Sequence, residues 1–225
     1  SHFSLADGHA LIQRLSAPMF APGEQYSYSN GNWRILEWII EAVTARSLPA
    51  LLAERILEPL GMRDSGWGID TGDILPGDAR GYRRVGSGWK AEITHACWSG
   101  DAALLTTLDD FMKWEAAMLR TDAGALRCAD QLGGAMPHPD GSNGSYAFGI
   151  NAWARDGRCM LWHSGALRGW RMVQMRFPQE RAAIVVMINR TENPMPIAPR
   201  VAERAGIRTT WDEVRAHPAP EARPP

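Results

Sequence analysis

The run Ala182-Ala183-Ile184-Val185-Val186-Met187-Ile188 constrains the fold more than any other stretch, because it is apolar on both alternations of a strand. Successive side chains of a strand point to opposite faces, so such a run has to be covered from both sides. It reads as a central strand covered on both faces. A helix from about Pro199 to Ala205 supplies one cover. The strands before it form a meander: Tyr146 to Ala154, a turn at Arg155-Asp156-Gly157, Cys159 to His163, then Arg171 to Phe177. The Asp-Gly pair supports the positive φ that a tight hairpin turn needs.

Upstream the period changes from two to about 3.6. Ala6, Leu11, Ile12 and Leu15 share one face of a short helix over residues 4 to 16, with Asp7 as its cap, and Leu36, Ile39, Ile40 and Val43 recur at helical spacing from Trp33. Ser47 caps a further helix carrying Leu51, Leu52, Ile56 and Leu57, which Pro59 and Gly61 end. From Arg63 to Gly100 glycines, aspartates and isolated tryptophans predominate with no sustained period, as in loops and short strands. At Thr107 a Thr-x-x-Asp capping signature opens a third helix, with Leu108, Phe111, Met112, Met118 and Leu119 as its buried face. Residues 120 to 145 return to loop. Residues 211 to 225 are a proline-rich tail or linker, and residues 1 to 210 form one folded portion.

With 225 residues and 45% hydrophobic composition, the chain buries a sizeable core. Its net charge of −1 comes from acidic and basic residues mixed along the chain. No basic block points to nucleic acid or an anionic membrane, so the expected partner is a small molecule or short peptide. No apolar run reaches the ~18 residues of a membrane span. Three cysteines at wide spacing, Cys97, Cys128 and Cys159, suit buried free thiols rather than a disulfide framework or zinc site. His95, His138 and His217 lack partners at ligand spacing, so no metal and no cofactor is expected. The chain opens Ser1-His2-Phe3 without methionine, which suggests a processed or trimmed product or the second piece of a nicked protein.

Two short segments carry chemistry. Tyr28-Ser29-Asn30 places a phenol and a carboxamide on a loop that feeds a helix, and His163-Ser164-Gly165-Ala166 follows a strand. A histidine titrates near neutral pH, and a glycine at a strand end lets a substrate backbone approach. Each has an ordinary structural explanation as well: Asn30 suits a helix N-cap, and a strand histidine suits packing.

Together with Trp98-Ser99-Gly100-Asp101-Ala102-Ala103-Leu104-Leu105-Thr106-Thr107 before a helix, these segments resemble the serine β-lactamase and penicillin-binding-protein superfamily. The resemblance runs from about Phe20 to Asn189. It is similar in detail to the class C β-lactamase and D-aminopeptidase branch, peptidase family S12, where histidine commonly replaces the lysine of Lys-Thr-Gly. Phe20-Ala21-Pro22-Gly23 and Gly165-Ala166-Leu167-Arg168-Gly169-Trp170-Arg171 look most like the D-aminopeptidases. The resemblance implies a β-lactamase/transpeptidase-like α/β fold, an antiparallel sheet flanked by helices plus a mostly helical lobe, incomplete in this chain. It implies a serine hydrolase working through an acyl-enzyme on small amides or peptides. Tyr28 would exchange the proton of the nucleophile, provided a positive neighbour lowers the phenol's pKa from its usual value of about 10. His163 would tune that proton network. Asn30 would bind the substrate amide, Ser164 a substrate carboxylate or amide, and Gly165 with the Ala166 N–H would line the substrate strand and half of an oxyanion hole. A β-lactamase or esterase is the alternative enzyme, and a binding or sensor domain without a nucleophile is the alternative outside enzymes.

The family's nucleophile motif, Ser-x-x-Lys upstream of Tyr-x-Asn, is not found among the 27 residues before Tyr28. The match Ser87-Gly88-Trp89-Lys90 comes after Tyr28 between glycines, where a loop lacks the fixed field that activates a serine, so Ser87 and Lys90 read as a chance match. The expected nucleophile therefore comes from an N-terminal fragment of the same enzyme acting as a second chain. Ser1, with its own amine as base, is a further reading, which a trimmed end explains without catalysis. Asp109-Asp110 suits capping. Trp98, Trp153, Trp162 and Trp170 suit core packing or an apolar pocket wall.

Overall fold

The computed structural model describes residues 5–15, 17–67, 77–92, 100–120, 136–137, 144–155, 158–167 and 169–207. They belong to two units, Ser1–Asp78 with Ile93–Trp114, and Ala79–Glu92 with Glu115–Pro225.

In the first unit, α1 (Leu5–Gln13) meets α2 (Asn30–Thr44) where the Trp38 Nε1–H donates to His9 Nε2 at 2.6 Å. The stripe that α2 buries carries Arg34 and Glu37, whereas Leu36, Ile39 and Val43 are exposed. Ser47 caps α3 (Leu48–Leu52) by accepting the Ala50 N–H at 3.4 Å. Pro59 does not end this helix. The chain widens into a π turn over Ala53–Leu57, which absorbs the proline's missing N–H and ring, and continues as α4 (Glu58–Leu60) until Gly61 at φ 66° closes it.

The expected third helix is α5 (Leu108–Leu119), with the Thr107 hydroxyl accepting the Asp110 N–H at 3.2 Å. Its buried face differs from the expectation: Phe111 and Ala117 are buried with Asp110 and Glu115, while Leu108 and Met112 are exposed. Asp110 is more than a helix-start acid. Its carboxylate accepts the Asp64 N–H at 2.7 Å, the Ser65 hydroxyl at 2.8 Å and the Lys113 ammonium at 2.6 Å, and these bonds, Lys113's first, hold it below the usual carboxylate range.

The first unit also holds a two-stranded antiparallel ladder of β1 (Gly66–Trp67) and β4 (Leu104–Leu105). The second unit contains an antiparallel sheet of β5 (Met136–Pro137), β6 (Gly144–Ala147), β7 (Ile150–Arg155), β8 (Arg158–Leu167), β9 (Trp170–Phe177) and β10 (Ala182–Ile188), in the order β10-β9-β8-β7-β6-β5. The stretch expected as one strand from Tyr146 to Ala154 is two. Phe148 at φ 51° and Gly149 at φ 81° make a two-residue turn between them, and a phenylalanine gives no sequence signal for that backbone. Among the described residues Ala182 to Ile188 is an end strand, not a central one: a run apolar on both alternations implies covered faces, not two paired edges. One face packs Met160, Trp162, Val173, Met175, Phe177 and Ile184 against Ala198 and Ala202 of α6 (Ala198–Arg204), the expected covering helix. On the opposite face lie Ile150, Ala152, Cys159 and Leu161. Cys159 is disulfide-bonded rather than a free thiol. Cys97 and Cys128 lie outside the described residues, as does the tail beyond residue 207.

A hairpin of β2 (Tyr82–Val85) and β3 (Gly88–Ala91) joins the same unit, the Tyr82 N–H donating to the Asn189 carbonyl at 3.0 Å. Its root fits only because two glycines meet there. A Cβ on Gly81 would lie 2.8 Å from the Cα of Gly169.

Candidate active site

Tyr28 and Asn30 belong to the first unit. Ser29, extended at φ −146° and ψ 122°, is the N-cap of α2, and its side chain makes no capping bond. Asn30 is therefore the first helical residue, and its exposed side chain is not spent on capping. Tyr28 is 46% exposed. Burial of the rest and the charge of Asp101 raise its pKa, while Tyr26 beside it is pushed up to about 12 by burial and by Tyr28. The direction for Tyr28 is opposite to the one a general base needs.

The Gly100-Asp101 segment lies against the buried stripe of α2. Glu37 accepts the Gly100 N–H at 3.0 Å, and Arg34 Nη1 stands 3.5 Å from Asp101 Oδ1. A Cβ on Gly100 would approach the Trp33 carbonyl oxygen to 2.7 Å, so glycine is required there. Arg34, Glu37 and Asp101 were missed in the sequence. The available signal was a pair of opposite charges three residues apart inside an otherwise apolar helix pattern.

His163 to Ala166 belong to the second unit, on β8. The β7 ladder on β8 reaches Asn151↔Trp162, and from Ser164 to Leu167 β8 is paired with β9 alone among the described residues. In this length Ser164 and Ala166 are exposed and His163 is half-buried. Gly165 stands opposite Met172, whose Cγ would lie 2.9 Å from an added Cβ. Burial lowers the His163 pKa, and a hydrogen bond with the Ser164 backbone partly opposes that shift. The Tyr146 hydroxyl stands 3.4 Å from His163 Nε2. Across the ladder His163 faces Gln174, whose Oε1 is buried with no hydrogen-bond partner among the described residues. Neither Tyr146 nor Gln174 belongs to a sequence motif; register brings Gln174 opposite the histidine, and the reach of its side chain brings the Tyr146 hydroxyl there.

Ser87 occupies the two-residue turn between β2 and β3, beside Gly86 at φ 59°, and Lys90 lies on β3 opposite Arg83; both are exposed. His95, His138, His217 and Trp98 lie outside the described residues, while Trp153 and Trp162 pack in the sheet core. Among the described residues no group of three or more histidines, cysteines or acids is placed to hold a metal, and no helix is long and apolar enough to cross a membrane.

Residues 10–206 match the family described as Beta-lactamase. The chain belongs to that family. Within it, the chain is 38% identical over 180 residues to a D-aminopeptidase of Brucella ovis, an overlap of 80% of this chain and 34% of that protein. The chain thus spans about a third of the length of the curated relatives it matches. Among solved structures it resembles a penicillin-binding protein from Bacillus halodurans, with TM-score 0.76 and 20% identity over 90% of this chain and 64% of that one. It also resembles the D-amino acid amidase from Ochrobactrum anthropi SV3 complexed with L-phenylalanine, with TM-score 0.69 and 19% identity over 93% of this chain and 67% of that one. These likenesses show the β-lactamase/penicillin-binding-protein fold, and with it the resemblance drawn from the motifs.

Proposed function

We propose that this chain is the C-terminal portion of the catalytic domain of a serine hydrolase that cleaves small amides or peptides through an acyl-enzyme, with D-aminopeptidase-like preference. The observation that carries the reading is the length of β8 from Ser164 to Leu167, paired on one side only among the described residues and opened by His163. An extended substrate adds to such an edge through its own backbone, and the Ala166 N–H serves the oxyanion. In this reading Tyr28 takes the nucleophile's proton and returns it to the leaving amine, Asn30 binds the acyl-side amide, Ser164 meets a polar substrate group, and His163 tunes Tyr28. The D-aminopeptidase relative supports the substrate class.

The nucleophile and the positive charge that Tyr28 needs come from a Ser-x-x-Lys segment outside this sequence, with Ser87 and Lys90 uninvolved. Leu11, Leu15, Met19, Ile39 and Val43 are exposed by 53% or more, apolar surface that such a segment would cover. The family match itself favours a β-lactamase as the second reading.

Protein carrying the Ser-x-x-Lys segment, assayed on D-alanine p-nitroanilide, a chromogenic cephalosporin and a short-chain aryl ester, separates these readings. The anilide is expected to turn over fastest. A faster cephalosporin makes the protein a β-lactamase, and absence of both turnover and fluorophosphonate labelling makes it a binding domain.

A further inference from the structure

We propose that Tyr146 is a positioning residue for His163, its hydroxyl donating to Nε2 and so holding the ring in the tautomer with its proton on Nδ1. The consequence for catalysis rests on the function proposed above, whereas the contact rests on the sheet alone.

The end of the β7 ladder explains how a residue two strands away reaches the histidine. Tyr146, Asn151 and Trp162 stand in one row across β6, β7 and β8 through the pairs Tyr146↔Asn151 and Asn151↔Trp162. That row puts Tyr146 on the Trp162 face and His163 on the other, so the contact is made past the row where the β7 ladder on β8 ends, the phenol reaching the next residue of β8 there. The two rings are 5.8 Å apart between centroids at 54°, with the hydroxyl 3.4 Å from Nε2. The phenol cannot slide along its strand. Tyr146 immediately precedes the pair Ala147↔Ile150 that closes the Phe148-Gly149 turn, which fixes its place along β6.

The direction of the hydrogen bond follows from the histidine's other partner. The Ser164 backbone favours the charged ring, as a carbonyl accepting a ring N–H does. Since Nε2 faces the Tyr146 hydroxyl, the proposal gives the Ser164 bond to Nδ1–H, and Nε2 is then the acceptor of the neutral ring for a phenolic donor. Gln174, opposite His163 on β9, is neutral. Two residues further along β9, the Arg176 guanidinium is paired with Glu115. The hydroxyl fixes the tautomer from the side opposite to the carboxylate of a Ser-His-Asp triad: that carboxylate accepts Nδ1–H and leaves Nε2 free, whereas this phenol donates to Nε2 itself.

The test is the tautomer of His163, read from two-bond 15N–1H couplings in protein labelled with 15N-histidine and assigned with His163→Gln. The parent should show the Nδ1–H form, and Tyr146→Phe, which keeps the ring and its packing, should shift the population toward Nε2–H. In protein carrying the Ser-x-x-Lys segment, Tyr146→Phe should lower kcat about 10-fold with little change in KM, less than the ~10²-fold or more expected of a general acid–base group. An unchanged tautomer in a Tyr146→Phe protein with the parent's near-ultraviolet circular dichroism overturns the proposal, even where His163→Gln abolishes turnover. A shifted tautomer with turnover indifferent to His163→Gln supports the proposal and removes the function read above. If Tyr146→Phe does not fold, 3-fluorotyrosine incorporation replaces it, since a more acidic phenol strengthens the bond and should move the His163 Nε2 resonance; an unmoved resonance overturns the proposal.

Discussion

The phenol of Tyr28 is held neutral by partial burial and by Asp101, while Asp101 in turn is held by Arg34 on the buried stripe of α2. Two effects therefore meet at one carboxylate: it anchors its segment to the helix, and it opposes ionisation of the phenol. Removing its charge should lower the Tyr28 pKa, because the repulsion between carboxylate and phenolate disappears. Tyrosine titration of Asp101→Asn, followed by ultraviolet absorbance with Tyr28→Phe to assign the phenol, is expected to show the Tyr28 midpoint moving down. A midpoint that stays or rises contradicts this electrostatic reading. At this scale the sequence was legible in part. Tyr28, Asn30, His163 and Gly165 stand out because their motif spacing is local, while Arg34, Asp101, Tyr146 and Gln174 come to those residues through helix packing, strand register and side-chain reach, which leave no spacing to read.

Among the elements, α5 and β9 are joined by a pair that neither hydrophobic pattern announces. Arg176 Nε and Nη2 donate to the two oxygens of Glu115 at 2.5 and 2.9 Å, and the side chains are 6% and 0% exposed. A bidentate buried pair stabilises little relative to apolar replacements, but breaking it strands a charge away from water. Glu115→Gln should accordingly cost about 3 to 5 kcal/mol. The double variant Glu115→Leu/Arg176→Met should recover most of that loss in urea denaturation. Equal losses in the single and double variants would show that the pair itself, not the stranded arginine, carries the stability. The same helix shows why its inward face was misread: Asp110 and Glu115 are the fully buried residues because each has its partners, so apolar periodicity pointed to Leu108 and Met112, which are exposed. The π turn before Pro59 and the Phe148-Gly149 turn were missed for a related reason, since neither leaves its usual residue signature. Caps at Ser47 and Thr107 and the covering helix over the meander were legible because those signals are local.

For the whole molecule, family membership is secure over residues 10–206, while the matched relatives are about three times as long as the part they share with this chain. The Tyr-x-Asn and His-Ser-Gly segments fall in different units. Catalysis as proposed therefore depends on a nucleophile carried outside this sequence and on two groups contributed within it. The central claim is that Tyr28, and not the exposed Ser87, takes part in acyl transfer. The deciding measurement is kcat/KM on D-alanine p-nitroanilide for Tyr28→Phe and Ser87→Ala, each in protein that carries the Ser-x-x-Lys segment. Tyr28→Phe is expected to fall by about 10²-fold or more, the share of a general acid–base group, with Ser87→Ala close to the parent. A Ser87→Ala protein that keeps its fold but loses turnover, or a Tyr28→Phe protein as active as the parent, would contradict the account.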